Sequence, residues 1–267
     1  MVESAAQSPL DLSKFEESNL EINGACIRYF SSGRGNPVVM LDPLVGGISP
    51  LHQALAVDSR IIVFELPNPG KAADNPIPLN WKAMAETMAH IVTTIVPEKH
   101  TLIGTSAGAN VALWQTLLTP DCVEALVLIS PTLLLPAARS QMESPQEVAG
   151  FLCERPKNLS EDSSQADQLW QLAQLLQGVG HDVEAEGKLG EINCPTLVVF
   201  GSKDRVVPAE AARLYREKIP NSNVSVVYDA GHLIVADRPE SLVNAVTDYV
   251  ERRETFIVAR QNQVLIP

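Results

Sequence analysis

Apolar positions follow two regimes along this chain. Residues 19–30, NLEINGACIRYF, alternate apolar and polar around Asn23-Gly24. A period of two marks half-buried strands, and Asn-Gly accepts the positive φ angles of a two-residue hairpin turn. A second turn signal follows at Gly33-Arg34-Gly35. From residue 37 the pattern changes to short, β-branched runs with little alternation: PVVML (37–41), RIIVFEL (60–66), HTLIGT (100–105), EALVLIS (124–130), PTLVVFG (195–201) and VSVVYD (224–229). Strands covered on both faces read this way. Between them, apolar residues recur at helical spacing in 79–96, 109–118, 209–219 and 239–254. Strand and helix alternating this regularly predict an α/β fold. Its central sheet is mostly parallel, with helices on both faces and antiparallel N-terminal strands at one edge.

One stretch breaks the rhythm. Residues 131–190 carry no convincing strand; QADQLWQLAQLLQG (165–178) is a helix candidate and ERPKNLSEDSS (154–164) a polar loop. About 60 residues between two strands exceed an ordinary crossover. The expectation is a helical cap at 131–190, inserted into a core made of 20–130 and 191–255. Such a cap would cover the carboxyl edge of the sheet, where open α/β sheets bind ligands.

Composition narrows the classes. The chain has 267 residues, a formal net charge of −12 and 45% hydrophobic residues, which suits a globular α/β protein. The acidic balance argues against a nucleic-acid partner. The N-terminus lacks a basic start followed by an apolar stretch, so no secretory signal is expected. No run approaches the roughly 18 apolar residues of a membrane helix. Cys26, Cys122, Cys153 and Cys194 are scattered and read as reduced thiols, which points to the cytoplasm. No metal or cofactor is expected, since neither an H-x-x-x-H pattern nor a Cys/His cluster occurs. The expected partner is a small-molecule substrate, for a monomer or homodimer.

The chemistry concentrates at Gly104-Thr105-Ser106-Ala107-Gly108, between the run HTLIGT and the helix pattern ANVALW. In a nucleophile elbow the turn is so sharp that side chains two before and two after the serine would strike backbone. Glycine is favoured at both places, and the serine is held in strain with its oxygen displayed. A plain βα bend or a phosphate-binding turn is the competing reading. The dinucleotide pattern would need glycine where Ser106 stands, and the Lys-Ser/Thr ending of a P-loop is absent.

A serine hydroxyl needs a base to become a nucleophile. Five histidines are available: His52, His90, His100, His181 and His232. His232, in DAGHLIVADRPE, follows the last strand run and precedes the last helix pattern, so its loop belongs at the same sheet edge as Ser106. His90 falls inside a helix pattern, His100 begins a strand at the wrong end, His181 belongs to the expected cap, and His52 is a weaker competitor. The base needs a carboxylate to hold its tautomer. Asp204, in VVFGSKDRVVP, ends the penultimate strand run. A turn role is the alternative for it, and Asp229, within the last strand run, and Asp237, heading the last helix, are rivals. The order Ser106, Asp204, His232 is the one expected for this elbow.

With GTSAG, PTLVVFGSKDRVVP and DAGHLIVADRPE in place, the chain resembles the α/β-hydrolase superfamily over about residues 20–255. FELPNPGKAADNP is similar to the family's loop after its fourth strand. The resemblance implies a serine hydrolase with a helical cap. It departs from the family where His-Gly commonly follows the third strand, because Asp42-Pro43 stand there. Pro43 has no N–H to donate, so position points to the Leu44 N–H as one oxyanion donor and to the Ala107 N–H as the other. Gly46 and Gly47 would let that loop bend. A carboxylate beside a developing oxyanion is repulsive, so Asp42 is expected to turn into backbone N–H groups or to be neutral.

The reaction expected is acyl transfer through an acyl-enzyme, on a small, neutral, largely apolar ester, thioester or lactone. Leu133, Leu134, Leu135, Trp170 and Leu176 are candidate pocket walls, or the cap's own core. Lys203 and Arg205 are the cations near the triad loops, which disfavours a multiply charged anionic substrate. Two alternatives stay open: carbon–carbon bond hydrolysis, perhydrolysis or lyase chemistry on the same residues, and a non-catalytic ligand-binding role. The tail 256–267 has apolar residues that could pack locally or cover a neighbour.

Overall fold

Eight strands form one sheet in a computed structural model that describes residues 12–22, 25–45, 47–66, 80–134, 144–156, 163–177, 181–208 and 210–258. The strands are β1 (Glu16–Ile22), β2 (Ala25–Ser32), β3 (Asn36–Asp42), β4 (Ser59–Glu65), β5 (His100–Thr105), β6 (Val123–Ile129), β7 (Thr196–Gly201) and β8 (Ser222–Val227). Their order is β1-β2-β4-β3-β5-β6-β7-β8. β1 and β2 run antiparallel to each other, and β2 runs antiparallel to β4. All pairs from β4 onward are parallel. Asn23-Gly24, Gly46, residues 67–76 of the FELPNPGKAADNP loop, Leu135 and the tail beyond residue 258 lie outside the described residues.

The runs fail to alternate because both faces of the sheet are covered. In β3, Val38 and Met40 join one core cluster while Val39 and Leu41 join the other. β4 and β7 divide the same way: Ile61, Val63, Leu197 and Val199 lie on one face, and Ile62, Phe64, Val198 and Phe200 on the other. Successive side chains on a pleated strand point to opposite faces, so every one of these positions has to be apolar.

Nine α-helices flank the strands among the described residues: α1 (Pro50–Asp58), α2 (Trp81–Ile95), α3 (Ala107–Leu118), α4 (Pro145–Leu152), α5 (Ser163–Gln177), α6 (Val183–Lys188), α7 (Ala211–Lys218), α8 (Ile234–Asp237) and α9 (Pro239–Val258). α1 and α9 cover one face with Leu51, Leu55, Leu242, Val246 and Tyr249. The other face carries α2, α3 and α7, with Met88, Trp114 and Tyr215 in its cluster. Between β6 and β7 the described residues hold α4, α5 and α6 and no strand. Val148, Leu172 and Ala185 of these helices extend the second cluster rather than forming a separate one.

The structure corrects several element boundaries. α1, α4, α6 and α8 were not expected. α1 is nine residues long and opens on Ser49 with a capping box whose third helical residue is His52, where the usual signature has Glu or Gln. β8 ends at Val227, so Asp229 lies past the strand, at φ 57°. Asp237 ends α8 instead of heading the last helix.

His100 opens β5 and is buried. Its Nδ1 lies 3.0 Å from the Glu98 carbonyl oxygen. A carbonyl only accepts, so Nδ1 carries the proton and Nε2 is left without a hydrogen-bond partner among the described residues. Burial holds the imidazole below its ordinary value of 6.5. The unfolded chain therefore takes up a proton near pH ~6.5 while the native chain resists it, and stability falls as pH falls through that range. Denaturant melts from pH 8 down to pH 5 (about one unit per step) should show this loss, with a shallower acid slope in His100→Leu. A second prediction concerns the contact between β3 and α3. A Cβ on Gly108 would sit 2.0 Å from the Leu41 carbonyl oxygen. Gly108→Ala should destabilise the protein by about 3 kcal/mol in the same melts.

Candidate active site

β5 ends at Thr105 and α3 begins at Ala107, so Ser106 alone makes the turn. Its backbone sits at φ 54° and ψ −117°, a region that costs a non-glycine residue about 1–3 kcal/mol. The turn is held shut from three sides. The Ser106 N–H donates to the Ile129 carbonyl at 2.8 Å, and the Ser106 carbonyl accepts the Ala109 N–H at 2.9 Å. A Cβ on Gly104 would lie 2.4 Å from the Gly108 carbonyl oxygen. Both glycines of the motif are thus sites of close backbone approach.

The histidine loop is built with equal closeness. A Cβ on Gly201, at the end of β7, would lie 2.2 Å from the Gly231 carbonyl oxygen. The Ser130 Oγ donates to the His232 carbonyl at 2.9 Å, and its N–H donates to the Val199 carbonyl at 2.8 Å. Asp237 accepts the Gly231 N–H at 2.7 Å, together with the N–H groups of Glu154 at 2.9 Å and Arg155 at 2.7 Å. One buried carboxylate therefore ties the histidine loop to the segment after α4.

These constraints bring three distant residues into line. The Ser106 Oγ lies 2.7 Å from His232 Nε2, and His232 Nδ1 lies 2.8 Å from Asp204 Oδ2. Asp204 Oδ1 accepts the N–H groups of Val206 at 2.8 Å and Val207 at 3.0 Å. The three residues are 0%, 1% and 9% exposed. A carboxylate, ionised, only accepts, so Nδ1–H donates to Asp204 and Nε2 presents its lone pair to the serine O–H. Proton transfer from Ser106 to His232 would place the positive charge of the imidazolium against Asp204.

The rivals are placed elsewhere. Asp229 pairs with Lys203 at 2.6 Å and with Arg155 and Arg238 at 2.5 Å each. Those cations hold its carboxyl below the ordinary range, the Lys203 hydrogen bond most of all. His181 pairs with Glu186 at 2.6 Å, and His90 lies within α2. Burial pushes the Cys153 thiol up to about 12 and the Cys194 thiol up to about 11, so neither offers a thiolate at neutral pH.

The two expected oxyanion donors differ. Ala107 is the first residue of α3, where no preceding turn supplies an acceptor for its N–H. Leu44 is buried at φ 51°, and its N–H is already engaged: it donates to Asp42 Oδ1 at 2.7 Å. Asp42 thus turns its carboxylate onto a backbone N–H, and that N–H is Leu44's. The physical reason is local. An Asp followed by Pro closes an Asx turn on the residue two positions ahead. Of the pocket candidates, Leu133, Leu134 and Leu176 are buried members of the larger core cluster, and Trp170 packs half-buried against it. Sequence reasoning missed Ser130 and took Asp237 only as a rival acid. Ser130 adopts φ 49°, but a serine closing an apolar run carries no mark of a positive φ.

Comparison with known proteins places this geometry in context. The model of the alpha/beta hydrolase family matches residues 41–246, which include all three residues of the chain of hydrogen bonds. A dihydrolipoyllysine-residue acetyltransferase component of an acetoin cleaving system from Pseudomonas putida is 27% identical over 251 residues, covering 83% of this chain and 66% of its own length. A pimeloyl-(acyl-carrier protein) methyl ester esterase from Pectobacterium atrosepticum is 26% identical over 262 residues, covering 85% of this chain and 99% of its own length. A thermophilic esterase from Thermogutta terrifontis superposes with a TM-score of 0.70 at 20% identity, over 89% of this chain and 98% of that one. The last match speaks to the fold alone. With the family match spanning most of the sequence and the eight-stranded sheet observed, the chain belongs to the alpha/beta hydrolase family.

Proposed function

We propose that this protein is a serine hydrolase that cleaves a small, neutral, largely apolar ester, thioester or lactone through an acyl-enzyme. The observation that carries the reading is the unbroken line from the Ser106 Oγ through His232 to Asp204. As Ser106 attacks the carbonyl carbon, its proton passes to His232 Nε2. The imidazolium returns that proton to the leaving oxygen or sulfur as the tetrahedral intermediate collapses. Water then repeats the sequence on the acyl-serine, and Ser106 recovers its proton. The Ala107 N–H, at the positive end of α3, faces the developing negative charge.

The substrate class rests on the charges around the histidine loop. Lys203 and Arg205 both pair with Glu154, and Lys203, Arg155 and Arg238 all pair with Asp229. These four cations share two carboxylates, and each is already engaged in an ion pair, which supports a substrate held by apolar contact more than by charge. The Pectobacterium relative is named for a methyl ester substrate, in line with ester chemistry. We assign α4, α5 and α6 the role of a cap over the carboxyl edge of the 20–130 and 191–255 core. Support comes from two ties to the core: the Leu233 N–H, next to His232, donates to the Leu152 carbonyl at 3.0 Å, and Trp114 Nε1–H of α3 donates to Asp182 at 2.8 Å. The cytoplasm is the proposed compartment, supported by four free cysteines. No helix among the described residues is long and apolar enough to cross a membrane.

A fluorophosphonate probe with peptide mapping tests the reading. The label should fall on Ser106, and Ser106→Ala should lose it. The same variant should lower hydrolysis of p-nitrophenyl butyrate by about 10⁴-fold or more. Labelling at another residue, or activity largely retained in Ser106→Ala, would overturn the mechanism.

A further inference from the structure

A second histidine–aspartate pair, its histidine buried, stands at the carboxyl end of β3. His52 is 1% exposed, and its Nδ1 accepts the Ser49 N–H at 2.8 Å. A ring nitrogen that accepts carries no proton, so the proton of the neutral ring is on Nε2. That Nε2 has no hydrogen-bond partner among the described residues. It points at Asp42 Oδ2, 3.6 Å away, which is beyond hydrogen-bond reach. The other oxygen of the same carboxylate holds the Leu44 N–H at 2.7 Å. Leu44 itself is held at φ 51°, with its carbonyl accepting the Gly47 N–H at 2.9 Å. This loop abuts the elbow, since the Leu41 carbonyl and the Asp42 nitrogen are the backbone atoms that a Cβ on Gly108 would meet.

We propose that Asp42 is a rate- and specificity-setting stopper on the Leu44 N–H, with His52 Nε2–H as its second seat. The proposal rests on Ser106 being the nucleophile. While Asp42 Oδ1 holds the Leu44 N–H, that donor is closed to a substrate oxygen, and a negative charge stands where an oxyanion would grow. Turning the carboxylate about 0.7 Å toward His52 would bring Oδ2 within hydrogen-bond distance of Nε2–H. The Leu44 N–H is then released to the carbonyl oxygen as Ser106 attacks it. No covalent bond or proton changes hands in this step: the Leu44 N–H exchanges a carboxylate for the substrate oxygen, and the His52 N–H gains the carboxylate. One device thereby accounts for three otherwise unrelated facts: a leucine at positive φ, a buried histidine donor with no acceptor, and an acid where the family commonly has His-Gly. It also sets selectivity, because only a substrate bound well enough to drive the exchange opens the site.

Asp42→Asn tests this directly, with the rate of Ser106 labelling by a fluorophosphonate and the kcat and KM for p-nitrophenyl butyrate as readouts. The amide oxygen still accepts the Leu44 N–H and keeps the turn, but the negative charge is gone. Labelling and kcat should each rise about tenfold, with KM within about twofold. His52→Leu should lower kcat about tenfold in the parent and by less than about twofold in the Asp42→Asn background, since the second seat matters only to a charged stopper. If Asp42→Asn melts well below the parent, Asp42→Ser carries the same expectations through its hydroxyl oxygen. Equal or slower labelling of Ser106 in the neutral variant would overturn the stopper while leaving the serine reading intact. Absence of Ser106 labelling in both parent and variant would overturn the serine reading and this inference with it.

Discussion

The left-handed backbone of Ser106 is the constraint on which the chemical edge of this molecule depends. A serine gains nothing locally from φ 54°, and the conformation costs about 1–3 kcal/mol. It persists because both neighbours of the turn are locked. β5 is buried along all six residues, and α3 is buried from Ala107 to Thr116. Burying Val111, Leu113 and Trp114 contributes about 1.5–3 kcal/mol apiece, which comfortably exceeds the strain. The turn is therefore a place where strand and helix packing impose a geometry that the residue would refuse in isolation.

Close backbone contact repeats across the sheet edge and explains how residues 126 positions apart meet. α3 presses on β3 through Gly108, and β7 presses on the histidine loop through Gly201. Asp237 fixes that loop a third time and joins it to the residues after α4. The helices between β6 and β7 are thus hydrogen-bonded to the loop that carries His232. Any change in their position is felt by the proposed base, a coupling that runs through short backbone contacts rather than through side-chain bulk.

The central sheet was legible because its chemistry is uniform: strands covered on both faces must be apolar through their middle residues, as Val38 to Leu41 of β3, Ile61 to Phe64 of β4 and Leu197 to Phe200 of β7 are. Ser106, Asp204 and His232 were legible because strand ends and a glycine pair fix their positions in the fold. Short elements were not. α1 spans nine residues and α6 six, too few turns for a helical period to stand out, and the cap box of α1 uses His52 in place of an acid or amide. The partner of the Leu44 N–H was also hidden. Asp42-Pro43 announces a missing donor, but whether the carboxylate folds back on its own loop is decided by a side-chain rotamer and by His52 standing behind it. Leu133 and Leu134 stayed open between pocket wall and core in the sequence, since apolar residues beside a site look the same there whether they line a cavity or fill the core; both are buried in the larger cluster.

The claim that Ser106 and His232 act as one unit is tested most directly by a cycle of Ser106→Ala, His232→Ala and the double variant, read as kcat for an activated ester with fold checked by circular dichroism. A unit that fails when either part is lost should give nearly the same residual rate in all three variants. Losses that multiply in the double variant would mean that the two side chains contribute independently, and would contradict the proton transfer between them on which this account is built.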